Sequence, residues 1–375
     1  MKRFCGFSTG IVFFISGILK LMDPVGTGLI IKEYLDFMHI GFLEPAAKPL
    51  GAMLALIEAI LGTGLITGVW RKLITPITLG LQVLFTLITL ILVIFKPEMD
   101  CGCFGEAVHL SHEETFIKNI ILFTLLLIYY IPPRLLGEAK KRKYISFSIV
   151  TASVIAFMLY SWAYLPLVDY TEYRPGLSIK SNNTGVEYEA VFVYEKDGRQ
   201  ETFRLENLPD STWTFVTTET NVKSGRASGS GLSFYGQNGE YADSLATKDK
   251  VIIISLYDTD ISEKKLTRIE TFMKNAEKAG FKSILLTSSP LKGLSNAFTA
   301  DYKTLITLNR SNGGASYFQD GYLISKWSMR GYPDLADLER ISSEDITEGI
   351  IGKETQESLT FQAFLLYVFA VMLLL

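Results

Sequence analysis

Six long apolar runs constrain this chain more than any other feature, because each must be hidden in a protein interior or in a lipid bilayer. They fall at about 5–22, 50–70, 73–95, 116–132, 145–166 and 359–375. A helix needs about 20 mostly apolar residues to cross a hydrocarbon core of roughly 30 Å. The runs are of that order; the last, about 17 residues at the end of the sequence, could instead lie in the interface, although it has no basic polar face to favour that. The sequence therefore predicts an α-helical membrane bundle. The overall figures, 48% hydrophobic and 20% charged residues, conceal a sharp division, since 171–358 has the composition of an ordinary soluble domain. Met1-Lys2-Arg3 before the first run resembles a signal peptide. The end of that run, Lys20-Leu21-Met22-Asp23-Pro24, lacks a small-x-small cleavage site and reads as an uncleaved anchor.

Loop charges predict an orientation. Lys2 and Arg3, then Arg71 and Lys72, then Arg134, Lys140, Lys141, Arg142 and Lys143 fall at alternate span ends, which the positive-inside rule assigns to the cytoplasm. The opposite loops, 23–49 and 96–115, are rich in Asp and Glu. The domain after the fifth span is then extracytoplasmic; in a two-membrane bacterium, the chain sits in the inner membrane with that domain in the periplasm. Trp70, Tyr129, Tyr130, Trp162 and Tyr164 stand at span ends, as interfacial aromatics do. A net charge of −3 gives no case for nucleic-acid binding. The expected partners are the bilayer and a periplasmic or membrane protein.

Two features carry candidate chemistry. Glu58 lies inside the second span, where a carboxylate is expensive. It reads either as a proton- or quinone-linked acid facing the bundle interior, or as a structural carboxyl paired with Lys20 or Gln82. Gly62, Gly64 and Gly68 follow it, with Gly64-x-x-x-Gly68 suiting close helix packing. The second feature is Asp100-Cys101-Gly102-Cys103-Phe104-Gly105-Glu106, just beyond the third span. Glycine between two thiols allows the backbone to bring them to bridging distance, and a ring so small would be strained and exchange readily. An outer membrane-surface position would let lipid-soluble quinones act as electron acceptor. Two other readings stay open: a structural turn with a static disulfide, and a metal site built from Cys101, Cys103, His109 and His112, although the spacing departs from usual zinc patterns. Cys5, the remaining cysteine, belongs at the cytoplasmic start of the first span and reads as packing. With no cysteine in 171–358, a disulfide-stapled module is excluded there.

The first 135 residues resemble the methylamine-utilisation E (MauE) family within the DoxX-like four-helix membrane group. Phe14-Ile15-Ser16-Gly17-Ile18-Leu19-Lys20-Leu21-Met22-Asp23-Pro24, Glu58 with its following glycines, and Asp100-Cys101-Gly102-Cys103-Phe104-Gly105 carry the likeness. The resemblance implies a four-helix core and a role in disulfide formation or maturation of an exported partner. Thiol oxidases linked to quinones usually hold a second cysteine pair, which this chain lacks.

Residues 171–246 read as β-rich: 187–194 and 201–205 flank Lys196-Asp197-Gly198, a hairpin signal, Trp213 to Val216 offers another strand, and 224–231 is a Ser/Gly loop. From 247 to 348 the order is strand Val251–Leu256, helix Ile261–Ala279, strand Ser283–Leu286, a hairpin about Asp320-Gly321, and a helix from Leu335. This order resembles a thioredoxin fold, so the expected architecture is an α+β domain, thioredoxin-like in its C-terminal part, hung from a helical bundle. Tyr257-Asp258-Thr259-Asp260 stands where a thioredoxin has Cys-x-x-Cys, and Gly313 where its cis-proline would be. The implied use is recognition. The fifth span is expected within 136–170, and a linker with the sixth span at 349–375. The function so predicted is assistance of thiol–disulfide redox or protein maturation through the CGCFG turn; the alternative is a non-enzymatic scaffold that docks a partner.

Overall fold

The computed structural model describes residues 2–97, 99, 101–130, 139–179, 188–196, 199–204, 213–222, 232–236, 238–289 and 297–374. Asp197-Gly198, the 224–231 stretch, Arg134, Glu98 and Asp100 lie outside them.

Within the described residues, each of the six apolar runs forms a helix. The helices are α1 (Lys2–Met22), α3 (Ala47–Thr67), α4 (Arg71–Phe95), α5 (His112–Tyr130), α6 (Lys141–Ala163) and α10 (Ile346–Leu374). Among the described residues, four segments are long and apolar enough to cross a membrane: Lys2–Met22, Gly41–Thr67, Arg71–Phe95 and Lys141–Ala163. In α5, Glu113, Glu114 and Lys118 occupy the first two turns. In α10, the apolar stretch is confined to Ser358–Val371. That stretch packs on α6, where Phe157 meets Phe364 and the Ser153 and Tyr367 hydroxyls lie 2.6 Å apart.

The acidic 23–49 segment, expected as a loop, is largely helical: α2 (Pro24–Phe37) is followed by a 3-10 turn, Gly41–Ala46. Asp23 starts α2 by accepting a hydrogen bond from the Gly26 N–H at 2.8 Å, and Pro24 occupies the first helical position, where its missing N–H costs nothing.

Glycine sets how closely α1 and α3 approach. A Cβ on Gly17 would lie 2.6 Å from the Ala55 carbonyl oxygen, and one on Gly62 would lie 2.6 Å from the Gly10 carbonyl oxygen. The Gly64/Gly68 pair is not that seam. Gly64 faces Ile74, and Gly68 ends α3 in the left-handed conformation (φ 72°) that a helix terminus uses to close its last carbonyls. Tyr129 is not an interfacial anchor either; it is buried inside the bundle, where its hydroxyl accepts from Arg71 Nε at 2.8 Å.

Beyond the bundle, β2 (Tyr188–Lys196) pairs antiparallel with both β3 (Arg199–Arg204) and β4 (Thr214–Val222). The C-terminal α/β domain has a mixed sheet in the order β7-β6-β5-β8-β9. Its strands are β5 (Lys250–Leu256), β6 (Lys282–Thr287), β7 (Phe298–Thr299), β8 (Gly314–Gln319) and β9 (Tyr322–Trp327). Strand β5 runs parallel to β6 and antiparallel to β8. The period of two in β5 explains its unbroken apolar run. Val251 and Ile253 join the core shared with α8 (Tyr302–Leu308), while Ile252, Ile254 and Leu256 join the core beneath α7 (Glu263–Lys278) and α9 (Leu335–Ser343). Each such fully buried side chain contributes about 1.5–3 kcal/mol.

Candidate functional site

The short strand β1 (Cys103–Glu106) carries the cysteine turn back against α1. Gly102 is there because nothing else fits. Its φ is +61°, and a Cβ would stand 2.4 Å from Ile30 Cγ2 on α2. Tyr34, one turn further along α2, donates its hydroxyl to the Cys101 carbonyl at 2.8 Å. Helix α2 therefore lies over the turn, and Cys101 is only 6% exposed while Cys103 is partly so.

Beneath the turn lie the groups that the apolar helices had to bury. Ser16 and Lys20, four residues apart on one face of α1, both meet Glu58 of α3. Lys20 Nζ is 2.5 Å from Oε1 and Ser16 Oγ is 2.6 Å from Oε2. Lys20 and Glu58 are almost wholly enclosed. Ser16 Oγ also lies 2.7 Å from the Cys103 carbonyl oxygen. One hydroxyl hydrogen serves only one acceptor at a time, so Ser16 links the carboxylate to the cysteine backbone as a switchable bridge. Glu58 is thus paired with Lys20 and simultaneously tied to the turn, while Gln82 donates elsewhere, to the Asn119 carbonyl at 3.0 Å.

The two thiols are unequal. Cys103 is drawn from an ordinary 9.0 down to about 6, first by the hydrogen bond from Cys101 and then by the Lys118 and Lys20 ammonium groups. Cys101 is pushed up by that same hydrogen bond, by burial and by the neighbouring Cys103 charge. The two shifts favour Cys103 as the site of negative charge and Cys101 as the sulfur that keeps its proton. Burial, then the two cysteines, also raises Tyr34, which stays a phenol and a donor.

The pair opens on a cavity of about 330 Å³ walled mainly by apolar side chains, among them Phe13, Ile30, Leu54, Phe85 and Leu122, with Lys20, Lys118, Glu58 and Gln82 among its polar lining. Met38 and Leu50, both exposed, lie on the same lining.

The structure brings Cys101, Cys103 and Glu58 together but does not gather the residues of the metal reading. His112 Nε2 lies 3.0 Å from the Met99 carbonyl, and His109 lines a different cavity under the α/β domain. Among the described residues, no group of three or more His, Cys, Asp or Glu side chains could hold a metal ion. The histidines diverge because His112 is drawn into the start of α5 while His109 remains in the preceding loop. Cys5 is buried among Phe13, Leu61 and Leu65, eleven residues (about 16 Å of helix) before Ser16.

Ser16, Tyr34, Lys118 and Arg310 join the site without being marked as site residues by the sequence. Ser16 and Lys118 leave a trace, as a polar residue one turn from Lys20 and as the cation in the first two turns of α5. Arg310 leaves none. It comes from the α/β domain, its Nε 2.9 Å from Asp23 Oδ2 and an NH2 group 3.1 Å from Glu106 Oε1.

Fold and site together define a polytopic membrane protein with a buried dithiol at the end of its helical bundle. Residues 2–132 match the family described as Methylamine utilisation protein MauE, and residues 188–224 match a domain of unknown function (DUF8463). The chain is also similar to "Protein TlpB" of Flavobacterium psychrophilum, at 29% identity over 152 residues. That alignment covers 40% of this chain and 41% of the relative, so under half of each protein is compared. No solved structure matches.

Proposed function

We propose that this protein exchanges dithiol for disulfide at Cys101 and Cys103 on the outer side of the inner membrane, serving the oxidation or maturation of an exported protein. The supporting observation is the asymmetric thiol pair: a stabilised Cys103 thiolate hydrogen-bonded to a protonated Cys101 at the edge of an apolar cavity. The positive-inside pattern of the loop charges supports a turn and an α/β domain outside the cytoplasm. The β9-β8-β5-β6 order, with α7 between β5 and β6, supports a thioredoxin-like reading of that domain. Tyr257 to Asp260 supplies no thiol there, so the domain binds rather than exchanges.

In the oxidised form the two sulfurs are bonded to each other. A client thiolate attacks Cys101 Sγ, the S–S bond breaks, and Cys103 departs as the thiolate that Lys118 and Lys20 stabilise, the better leaving group. The second client thiol then displaces Cys101, so the client gains a disulfide and the pair becomes Cys101 thiol and Cys103 thiolate. Two electrons must next leave the pair. The cavity fits a quinone: its walls are apolar, the Lys118 ammonium on its lining can donate to a quinone oxygen, and Gln82 Oε1, buried there without a hydrogen-bond partner among the described residues, can accept from a hydroxyl of the quinol. A quinone held there would take up two electrons and two protons and leave as quinol. The Cys101 thiol supplies one proton, Lys118 the second, and Lys118 is recharged from water; the S–S bond reforms.

Purified protein in lipid nanodiscs tests this, with dithiothreitol as client and a short-chain quinone as acceptor. The expected result is catalytic quinone loss that Cys101→Ser and Cys103→Ser each abolish. Turnover indifferent to both substitutions would refute exchange and favour a non-enzymatic scaffold in which the turn is purely structural.

A further inference from the structure

Client attack at Cys101, on the redox reading above, faces an obstacle: that thiol is 6% exposed, beneath α2. We propose that Arg310 is a positioning residue for the dithiol, clamping together the two walls of the cysteine turn so that docking of the α/β domain controls access to Cys101.

One guanidinium spans both walls. Asp23, which accepts from Nε, is the hinge residue between α1, bearing Ser16 and Lys20, and α2, bearing Ile30 and Tyr34. Glu106, which accepts from NH2, ends the strand that begins at Cys103. The Arg310 side chain is 5% exposed. Burial alone would pull its charge down, but Asp23 and Glu106 more than offset this and hold it a cation. The clamp is anchored behind. Tyr257 donates its hydroxyl to the Arg310 carbonyl at 3.1 Å, and Asn309 donates to the Ala315 and Trp327 carbonyls at 3.0 and 3.3 Å. Tyr257 is the residue standing where a thioredoxin would begin its cysteine motif, so this end of the domain is occupied by its own chain.

Other docking contacts are weaker or further off. Lys303, 74% exposed, reaches Glu33 at 3.0 Å, and Lys32 lies 4.9 Å from the Tyr302 ring centre. Exposed pairs of this kind contribute little, whereas opening one side of a buried pair is costly. Lys326 pairs with Asp169 at 2.5 Å, a second buried pair that shares a cavity wall with Arg310 but joins the domain to the segment after α6 rather than to the cysteine turn. Among the described residues, the Arg310 contacts are the buried ion pairs that tie the α/β domain to the hinge and the strand of the cysteine turn.

The test uses full-length reduced protein in nanodiscs and a bulky, water-soluble maleimide, with labelling at each cysteine resolved by mass spectrometry. Arg310→Gln is expected to raise the labelling rate at Cys101 and Cys103 on the order of tenfold or more. Cys5, buried in the bundle, serves as internal control and is expected to keep its wild-type rate. Arg310→Lys, a point charge without the planar fork, falls between the two. Adding Glu106→Gln to Arg310→Gln changes little further. Equal labelling of the cysteine turn in Arg310→Gln and wild type would overturn the clamp, as would parallel acceleration at Cys5, which signals general loosening. If Arg310→Gln does not fold, Glu106→Gln alone gives the same readout. Labelling needs neither quinone nor client, so a negative result here leaves the exchange reading standing, and a loss of quinone turnover leaves the clamp standing.

Discussion

Removing Cys101 tests the asymmetry of the thiol pair, and the size of the effect follows from the site. With Cys103 drawn down to about 6 from an ordinary 9.0, about 90% of it is thiolate at pH 7, against about 1% for an ordinary thiol. Thiolate occupancy alone would make Cys103 about 90-fold faster. Nucleophilicity falls with pKa, however, with a Brønsted slope of about 0.4–0.5, so three units return about 15- to 30-fold. The net advantage at pH 7 shrinks to about three- to sixfold, and a single-pH rate would barely see it. The pH midpoint is the sensitive observable. Thiolate exists above the pKa, so wild-type Cys103 should react with iodoacetamide along a curve rising through about pH 6. In Cys101→Ala, which deletes the largest cause of the shift, the midpoint should move up by more than a unit. In Lys118→Met, which deletes a lesser one, it should move up by less. The assay is alkylation rate between pH 4.5 and 10 in a Cys5→Ala background. A wild-type midpoint near pH 9, or one unmoved by Cys101→Ala, would refute the reasoning.

Two further outcomes follow from the buried polar groups and the turn. Glu58→Ala leaves Lys20 charged and unpaired beneath the cysteines and should destabilise the bundle by about 3–5 kcal/mol, with much of this recovered in Lys20→Met/Glu58→Met; thermal unfolding in detergent measures both. Gly102→Ala forces a Cβ into Ile30 at a backbone angle that alanine resists, so it should cost about 1–3 kcal/mol and expose Cys101 to maleimide, and Ile30→Ala should restore only part of the loss.

Where the pattern was local, the sequence already contained it. Val251–Leu256 has the apolar run of a strand covered on both faces, and the structure makes it the centre of the mixed sheet. The Asp320-Gly321 hairpin, the helix ended by Gly280 and the helicity of all six apolar runs were legible for the same reason. Helix α2 was not, because Lys32, Glu33 and Asp36 break its hydrophobicity; what fixes it is the Asp23 cap and packing on α3. Glu58 stood out as an expensive carboxylate, but its link through Ser16 to the Cys103 carbonyl joins residues 87 apart and has no signature along the chain. Arg310 and Asp23 are 287 residues apart. An arginine in a polar loop looks like any other until the fold sets it against two carboxylates.

The most direct test of the central claim is the state of the Cys101–Cys103 pair in living cells, trapped by acid quench and read by differential alkylation. The account predicts a pair found mostly as the disulfide, shifting to the dithiol when the quinone pool is withdrawn and returning when it is restored. A pair fixed in one state under all three conditions would contradict it.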